Sequence, residues 1–140
     1  MSGKYKAVST VDENGNKFKS KLEAYCHKKL EENDIDFGYE TVSFILLEDF
    51  QHEFESWEIK TLKKEKVYSA LAKKVSKIKY IPDFIGKDWL IETKGKRTPE
   101  FNIKWKLFKY YLHNNGLFYN LFLPTSQKQV DLSIKTILNN

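Results

Sequence analysis

One stretch constrains this chain more than any other: residues 79–94, KYIPDFIGKDWLIETK. Its pattern is that of a β-hairpin. Tyr80, Ile81, Phe84 and Ile85 are β-branched or aromatic, Gly86-Lys87-Asp88 is turn material, and Trp89-Leu90-Ile91 opens a return strand. Side chains alternate faces along a strand, so Glu92 and Lys94 share a side, and a short hairpin sets Asp83 across from them. Two carboxylates and an ammonium on an apolar hairpin are costly unless something binds there. A divalent metal and a phosphodiester fit that description. The bland alternative is an exposed cross-strand pair of Glu92 and Lys94 on an edge hairpin.

The rest of the chain narrows the choice. At 140 residues it has room for one domain around one core. Lys and Arg number 24 against 19 Asp and Glu, a formal +5 that favours a polyanionic partner, though modestly. Arg97 is the only arginine, so bidentate readout of guanine is almost unavailable and recognition by backbone or shape is expected. Cys26 is the only cysteine, which excludes an internal disulfide framework and points to a reducing cytoplasm. Residues 1–20 are polar and do not read as a signal peptide, and no apolar run approaches membrane-spanning length.

Residues 1–17 read as an N-terminal arm or a small hairpin turning at Asp12-Glu13-Asn14-Gly15-Asn16. A helix follows over residues 20–33, with Leu22, Cys26 and Leu30 on one stripe. Ser20 and Glu23 have capping-box spacing, so Glu23 could do nothing more than cap. Residues 35–50 read as extended chain. Residues 51–75 are acidic and then basic; Val67, Leu71 and Val75 at helical spacing suggest an inserted loop or a short helix, with a basic flap against DNA as the sharper alternative. Thr98-Pro99-Glu100 is a helix start, Gly116 a stop, and Phe101, Trp105, Phe108 and Leu112 the buried face, with Ile103 and Tyr111 nearby. Residues 117–123 suit a buried strand, and residues 127–138 a last helix turning Val130, Ile134, Ile137 and Leu138 inward. The expected class is α+β: a mixed sheet with helices against it and a parallel crossover from Trp89 to Leu123.

Phosphodiester hydrolysis needs an activated water and stabilisation of the charge that develops on the phosphoryl group. Mg²⁺ supplies much of both and takes hard oxygen ligands while keeping several waters. Asp83 and Glu92 suit that ion, with the Thr93 backbone carbonyl as a further oxygen, and Glu23 able to complete the cluster or to hold a metal-bound water. Lys94 could orient the attacking water or stabilise developing charge. Cys26, His27, His52 and His113 lack zinc spacing, and neither a Gly-rich phosphate loop nor a nucleophile elbow occurs.

Pro82-Asp83, Glu92-Thr93-Lys94 and the upstream Glu23 together resemble the PD-(D/E)xK nucleases, whose restriction-endonuclease-like αβββαβ core has the same order of elements. FKSKLEA (18–24), FGYE (37–40), YIPDF (80–84) and IETKG (91–95) are similar to phage T7-type endonuclease I, a Holliday-junction resolvase. KGKRTPEFNIKWKLF (94–108) is similar to small uncharacterised phage and prophage proteins grouped with these nucleases. The resemblance spans residues 18–112. It implies catalytic roles for Glu23, Asp83, Glu92 and Lys94, Mg²⁺ (or Mn²⁺) as cofactor, branched or duplex DNA as substrate, and a homodimer. It also implies a phage- or prophage-encoded protein acting in a bacterial cytoplasm. Lys19, Lys21, Lys96, Arg97 and Lys104 are the expected nucleic-acid contacts. Glu40 matches an acidic position in the resolvase with no defined role. The longer 51–74 stretch and the absence of the resolvase's basic C-terminal extension leave a sequence-specific nuclease, a transposase-associated nuclease and a non-cleaving DNA-binding module as rivals.

Overall fold

The computed structural model describes residues 9–62, 65–70 and 74–140, with backbone alone over 60–62 and 65–70. In chain order the elements are β1 (Thr10–Val11), β2 (Lys17–Phe18), α1 (Lys21–Glu32), β3 (Gly38–Tyr39), β4 (Phe44–Leu47), β5 (Phe50–Gln51), β6 (Trp57–Leu62), β7 (Glu65–Ala70), β8 (Lys74–Val75), β9 (Ile78–Tyr80), β10 (Phe84–Ile85), β11 (Trp89–Ile91), α2 (Pro99–Asn114), β12 (Asn120–Phe122) and α3 (Gln127–Leu138). They fall into two units, one drawn from Met1–Phe44 and Ile81–Asn140, the other Ile45–Tyr80. The protein is of the α+β class. None of its described helices is long and apolar enough to cross a membrane.

The first unit is built on a four-stranded sheet of order β12-β11-β10-β3. β3 and β11 each pair antiparallel with β10, and β12 runs parallel to β11. The hairpin pairs Phe84 with Ile91 and Ile85 with Leu90, and the Gly86 N–H closes it on the Trp89 carbonyl at 2.9 Å. Gly86 is needed for space. A Cβ there would lie 2.2 Å from the Trp89 indole. Gly86→Ala must push that buried ring aside, and an expected loss of about 1–3 kcal/mol in denaturant unfolding checks it.

β11 is buried along its whole length, as a strand covered on both faces must be. Trp89, Ile91 and Phe84 join Cys26 and Leu30 of α1 and Val130 and Ile134 of α3 in one core cluster. Leu90, equally buried, lies outside that cluster, as alternation along a strand requires. The helices begin where their caps say. The Ser20, Thr98 and Ser126 hydroxyls accept from the N–H groups of Glu23, Phe101 and Gln129. α2 buries Phe101, Trp105, Phe108 and Leu112 as expected, and the Phe44 ring packs 5.0 Å from that of Phe108. Asn115 caps it, and Gly116 follows with φ +61°.

Several expectations are corrected. The first hairpin strand is not continuous: Ile78–Tyr80 and Phe84–Ile85 are separate strands, parted at Pro82, which has no N–H to give a ladder. The 117–123 run forms a strand only over Asn120–Phe122, and Phe118 is 90% exposed. Ile103 and Leu138 face solvent, because both lie off the buried stripes of their helices. From residue 9 onward the N-terminal segment is a hairpin, β1 against β2, whose turn is drawn in by the Asp12 carboxylate accepting from the Asn14 and Asn16 N–H groups, while residues 1–8 of the expected arm lie outside the described residues.

The second unit contains no helix among its described residues. β4 pairs with β9, β5 with β8 and β6 with β7, so nested two-stranded ladders make one long ribbon. Val67 and Val75, expected on a helix, lie in strands; Leu71 is outside the described residues. Spacing of four apolar residues is compatible with either element. Here the β-branched and aromatic residues of Trp57–Leu62 and Glu65–Ala70 favour the strand.

Candidate functional site

The site gathers at the edge where β3 ends, β10 begins and β11 runs out. Each piece arrives for a local reason. The β3–β10 ladder continues one residue further, with the Glu40 N–H donating to the Asp83 carbonyl at 3.0 Å, so Glu40 lies beside Asp83. Glu40 takes a left-handed backbone, φ +51°, which costs a non-glycine residue about 1–2 kcal/mol and reverses the chain there. Beyond β11, the Glu92 N–H donates to the Phe122 carbonyl at 2.9 Å and the Lys94 N–H to the Pro124 carbonyl at 3.1 Å. Residues 92–94 therefore run extended along the continuation of β12.

Asp83 is 6% exposed and held by Thr93, whose N–H and hydroxyl both donate to Oδ2, at 2.9 and 2.8 Å. Burial pushes its carboxyl above the usual range, and the two Thr93 bonds oppose that shift. Glu23, 2% exposed, projects from the first turn of α1 and accepts a short hydrogen bond from the Tyr39 hydroxyl. Burial first, and the Asp83 charge second, push the Glu23 carboxyl up to about 7. Burial likewise raises the Tyr39 phenol, so it stays a donor. Carboxylate oxygens of Glu23, Glu40 and Asp83 lie within 4.8 Å of one another. Glu40 Oε1 is shut off from solvent and takes no hydrogen bond of good geometry; Lys19 Nζ stands 2.5 Å away as its ion-pair partner. That contact raises the Lys19 ammonium and keeps it charged.

Glu92, 5% exposed, lies 3.5 Å from Lys94 Nζ. Lys94 is about one-third exposed, and its ammonium also sits 4.5 Å above the Phe101 ring. An exposed edge pair is thus excluded: β11 is an inner strand and Glu92 is buried. Nor is Glu23 only a cap. Its N–H serves Ser20, while its carboxylate turns to Tyr39 and the cluster.

The structure therefore brings Glu23 and Asp83 together, with Lys94 beside Glu92 on the neighbouring strand. It adds two groups to which the sequence assigned no function, Glu40 and Tyr39. Of the basic residues expected at nucleic acid, Lys21, Lys96 and Arg97 are exposed and Lys104 is half-buried. Arg97 donates from Nε to Asn102 Oδ1 at 2.9 Å, and Lys19 is turned to Glu40. Cys26 is fully buried and its thiol is pushed up by that burial, which leaves it a core residue.

An α-β-β-β-α-β unit carrying buried carboxylates at one sheet edge is thus the class of protein that fold and site define. The chain belongs to the family described as protein of unknown function (DUF1064), whose model matches residues 2–125 and so spans the whole acidic cluster. No curated protein and no solved structure matches it.

Proposed function

We propose that this protein is a metal-dependent DNA endonuclease of the PD-(D/E)xK type, hydrolysing phosphodiester bonds in branched DNA such as Holliday junctions. The observation that carries the proposal is the convergence of Glu23 and Asp83, both almost fully buried and far apart in sequence, on carboxylate oxygens within 4.8 Å that also include Glu40. Burying such acids together without a counter-ion is costly, and the raised Glu23 carboxyl expresses that cost.

The donor set fits Mg²⁺, with Mn²⁺ able to substitute: all are hard oxygens, and too few to strip the ion of its waters. Asp83 would hold the ion with Glu23, directly or through water, and Glu40 is close enough to join them. Glu92 and the Thr93 carbonyl are the further oxygens that the resemblance assigns, and Glu92 lies outside this three-carboxylate cluster. Bound there, it supplies an acidified water and neutralises phosphoryl charge. The protein's own groups do the positioning. Thr93 occupies Asp83 Oδ2, leaving Oδ1 for another ligand, and Tyr39 fixes Glu23. Lys94, steadied by Glu92 and Phe101, presents a charged donor to the attacking water or to a phosphoryl oxygen. Cutting both strands of a symmetric junction requires two sites, hence two copies of the chain. The single arginine favours recognition of shape over sequence.

The test is cleavage of a four-way junction, a flap and a linear duplex in Mg²⁺, Mn²⁺ or EDTA. Junction cutting with either ion is expected. Lys94→Ala should lower it about 100-fold or more while the thermal shift on adding Mg²⁺ persists, since Lys94 is no ligand. A wild-type protein inert on all three substrates with both ions ends the nuclease proposal. Cutting at one fixed sequence in the linear duplex would replace junction selectivity with sequence specificity.

A further inference from the structure

The second unit is a two-stranded ribbon whose limbs carry opposite charge. Its outgoing limb, residues 45–62, holds five acids (Glu48, Asp49, Glu53, Glu55 and Glu58) and one lysine, Lys60. From residue 63 to residue 80 there are seven lysines against one glutamate, Glu65. The other 122 residues hold 17 basic and 18 acidic side chains. The positive charge of the whole chain thus resides in residues 63–80.

The ladders fix which limb is which. Phe50 pairs with Val75 and Gln51 with Lys74, then Trp57 with Ala70 through to Leu62 with Glu65. The five acids are exposed, as are Lys74, Lys77 and Lys79. Among the described residues, one cross-strand ion pair joins the limbs, Lys74 to Asp49 at 3.0 Å. Charges sorted in this way give the ribbon an acidic edge and a basic edge. A polyanion is drawn to one edge and repelled by the other, which fixes its orientation as well as its affinity. The ribbon also leaves apolar surface in water: Phe54, Trp57 and Ile59 are 71%, 61% and 56% exposed. An isolated two-stranded ribbon is marginally stable alone, and its width suits a groove of duplex DNA.

From these features we infer that the return limb of the ribbon, over its described residues 74–80 with Lys74, Lys77 and Lys79 exposed, is a docking edge for the phosphate backbone of duplex DNA. It rests on the nuclease proposal only for the choice of polyanion. Binding is non-specific in sequence, because lysine is a point charge for phosphate and the limb has no arginine.

The experiment is fluorescence anisotropy of a labelled DNA duplex in EDTA across a salt series, so that binding is read without cleavage. Lys74, Lys77 and Lys79→Gln together should weaken binding about 10–100-fold near 0.1 M salt and reduce the slope of log K against log salt by about 2–3. Neutralising Glu53, Glu55 and Glu58 to Gln should tighten it. A control of equal charge, Lys28, Lys128 and Lys135→Gln on α1 and α3, should change affinity about twofold or less. Lys→Arg at the three limb positions should restore binding, which separates lost charge from a misfolded ribbon. The inference is overturned if control and limb variants weaken binding equally. It is also overturned if the limb variants change only self-association in sedimentation, or only binding to phosphatidylserine vesicles. Wild type that binds the duplex through this limb yet never cuts DNA would remove the nuclease proposal and leave the docking edge standing. Junction cutting by a protein whose limb variants bind normally would do the reverse.

Discussion

Under the proposed nuclease function, Asp83→Asn is expected to abolish metal-dependent cleavage and at the same time to make the metal-free protein more stable. The two effects share one cause. Asp83 is held by the Thr93 N–H and hydroxyl, and an asparagine carbonyl can accept both, so the anchor survives the change. What disappears is a charge close to Glu23 and Glu40, whose carboxylate oxygens share the 4.8 Å cluster. Like charges at that separation repel by about 1–3 kcal/mol even when well screened. Thermal unfolding in EDTA at pH 8 should therefore rise by about 3–10 °C. Activity should fall about 1000-fold or more, as expected if Asp83 is a ligand of the proposed ion. Mg²⁺ should no longer shift the unfolding curve. A variant that is dead but also less stable would mean that Asp83 serves mainly the fold.

How far this site was legible depended on the range of the interactions that make it. Ser20, Thr98 and Gly116 act within a turn of their own helices, so both ends of the helical pattern could be read directly. The Gly86-Lys87-Asp88 turn is equally local and sets the register that brings Asp83 opposite the 92–94 segment. Glu40 and Tyr39 escaped because their place depends on β3 finding β10 across more than forty residues, a pairing that no local pattern encodes. The one available signal was the match of FGYE to the resolvase, which identified Glu40 without giving it a neighbour. The ribbon was obscured for a different reason. Its lysines and sparse valines fit a solvated loop, a helix or a strand almost equally, and only the cross-strand partners decide.

The metal-free protein should also lose stability as pH rises from about 5 to 8, and Glu23 should be the main cause. Its carboxyl is raised from an ordinary 4.5 to about 7 by burial and by Asp83. Between those values the folded protein keeps a proton that the unfolded chain has released. Each step up in pH therefore favours unfolding, by at most about 1.4 kcal/mol per unit. The contribution is complete below pH 4.5 and is gone once the pH passes through about 7. Under the proposed metal-dependent function Mg²⁺ should reverse the trend, because it would bind the ionised carboxylates. Its stabilising shift should be small at pH 5.5 and largest near pH 8. Unfolding temperatures across this range, with EDTA and with Mg²⁺, give four curves for wild type and Glu23→Gln. The wild-type EDTA curve should fall with pH, the Glu23→Gln curve should be flatter, and the two should converge at low pH, where Glu23 is itself neutral. Parallel curves for the two proteins in EDTA would place the Glu23 proton elsewhere and remove the buried acid pair as the electrostatic centre of the site.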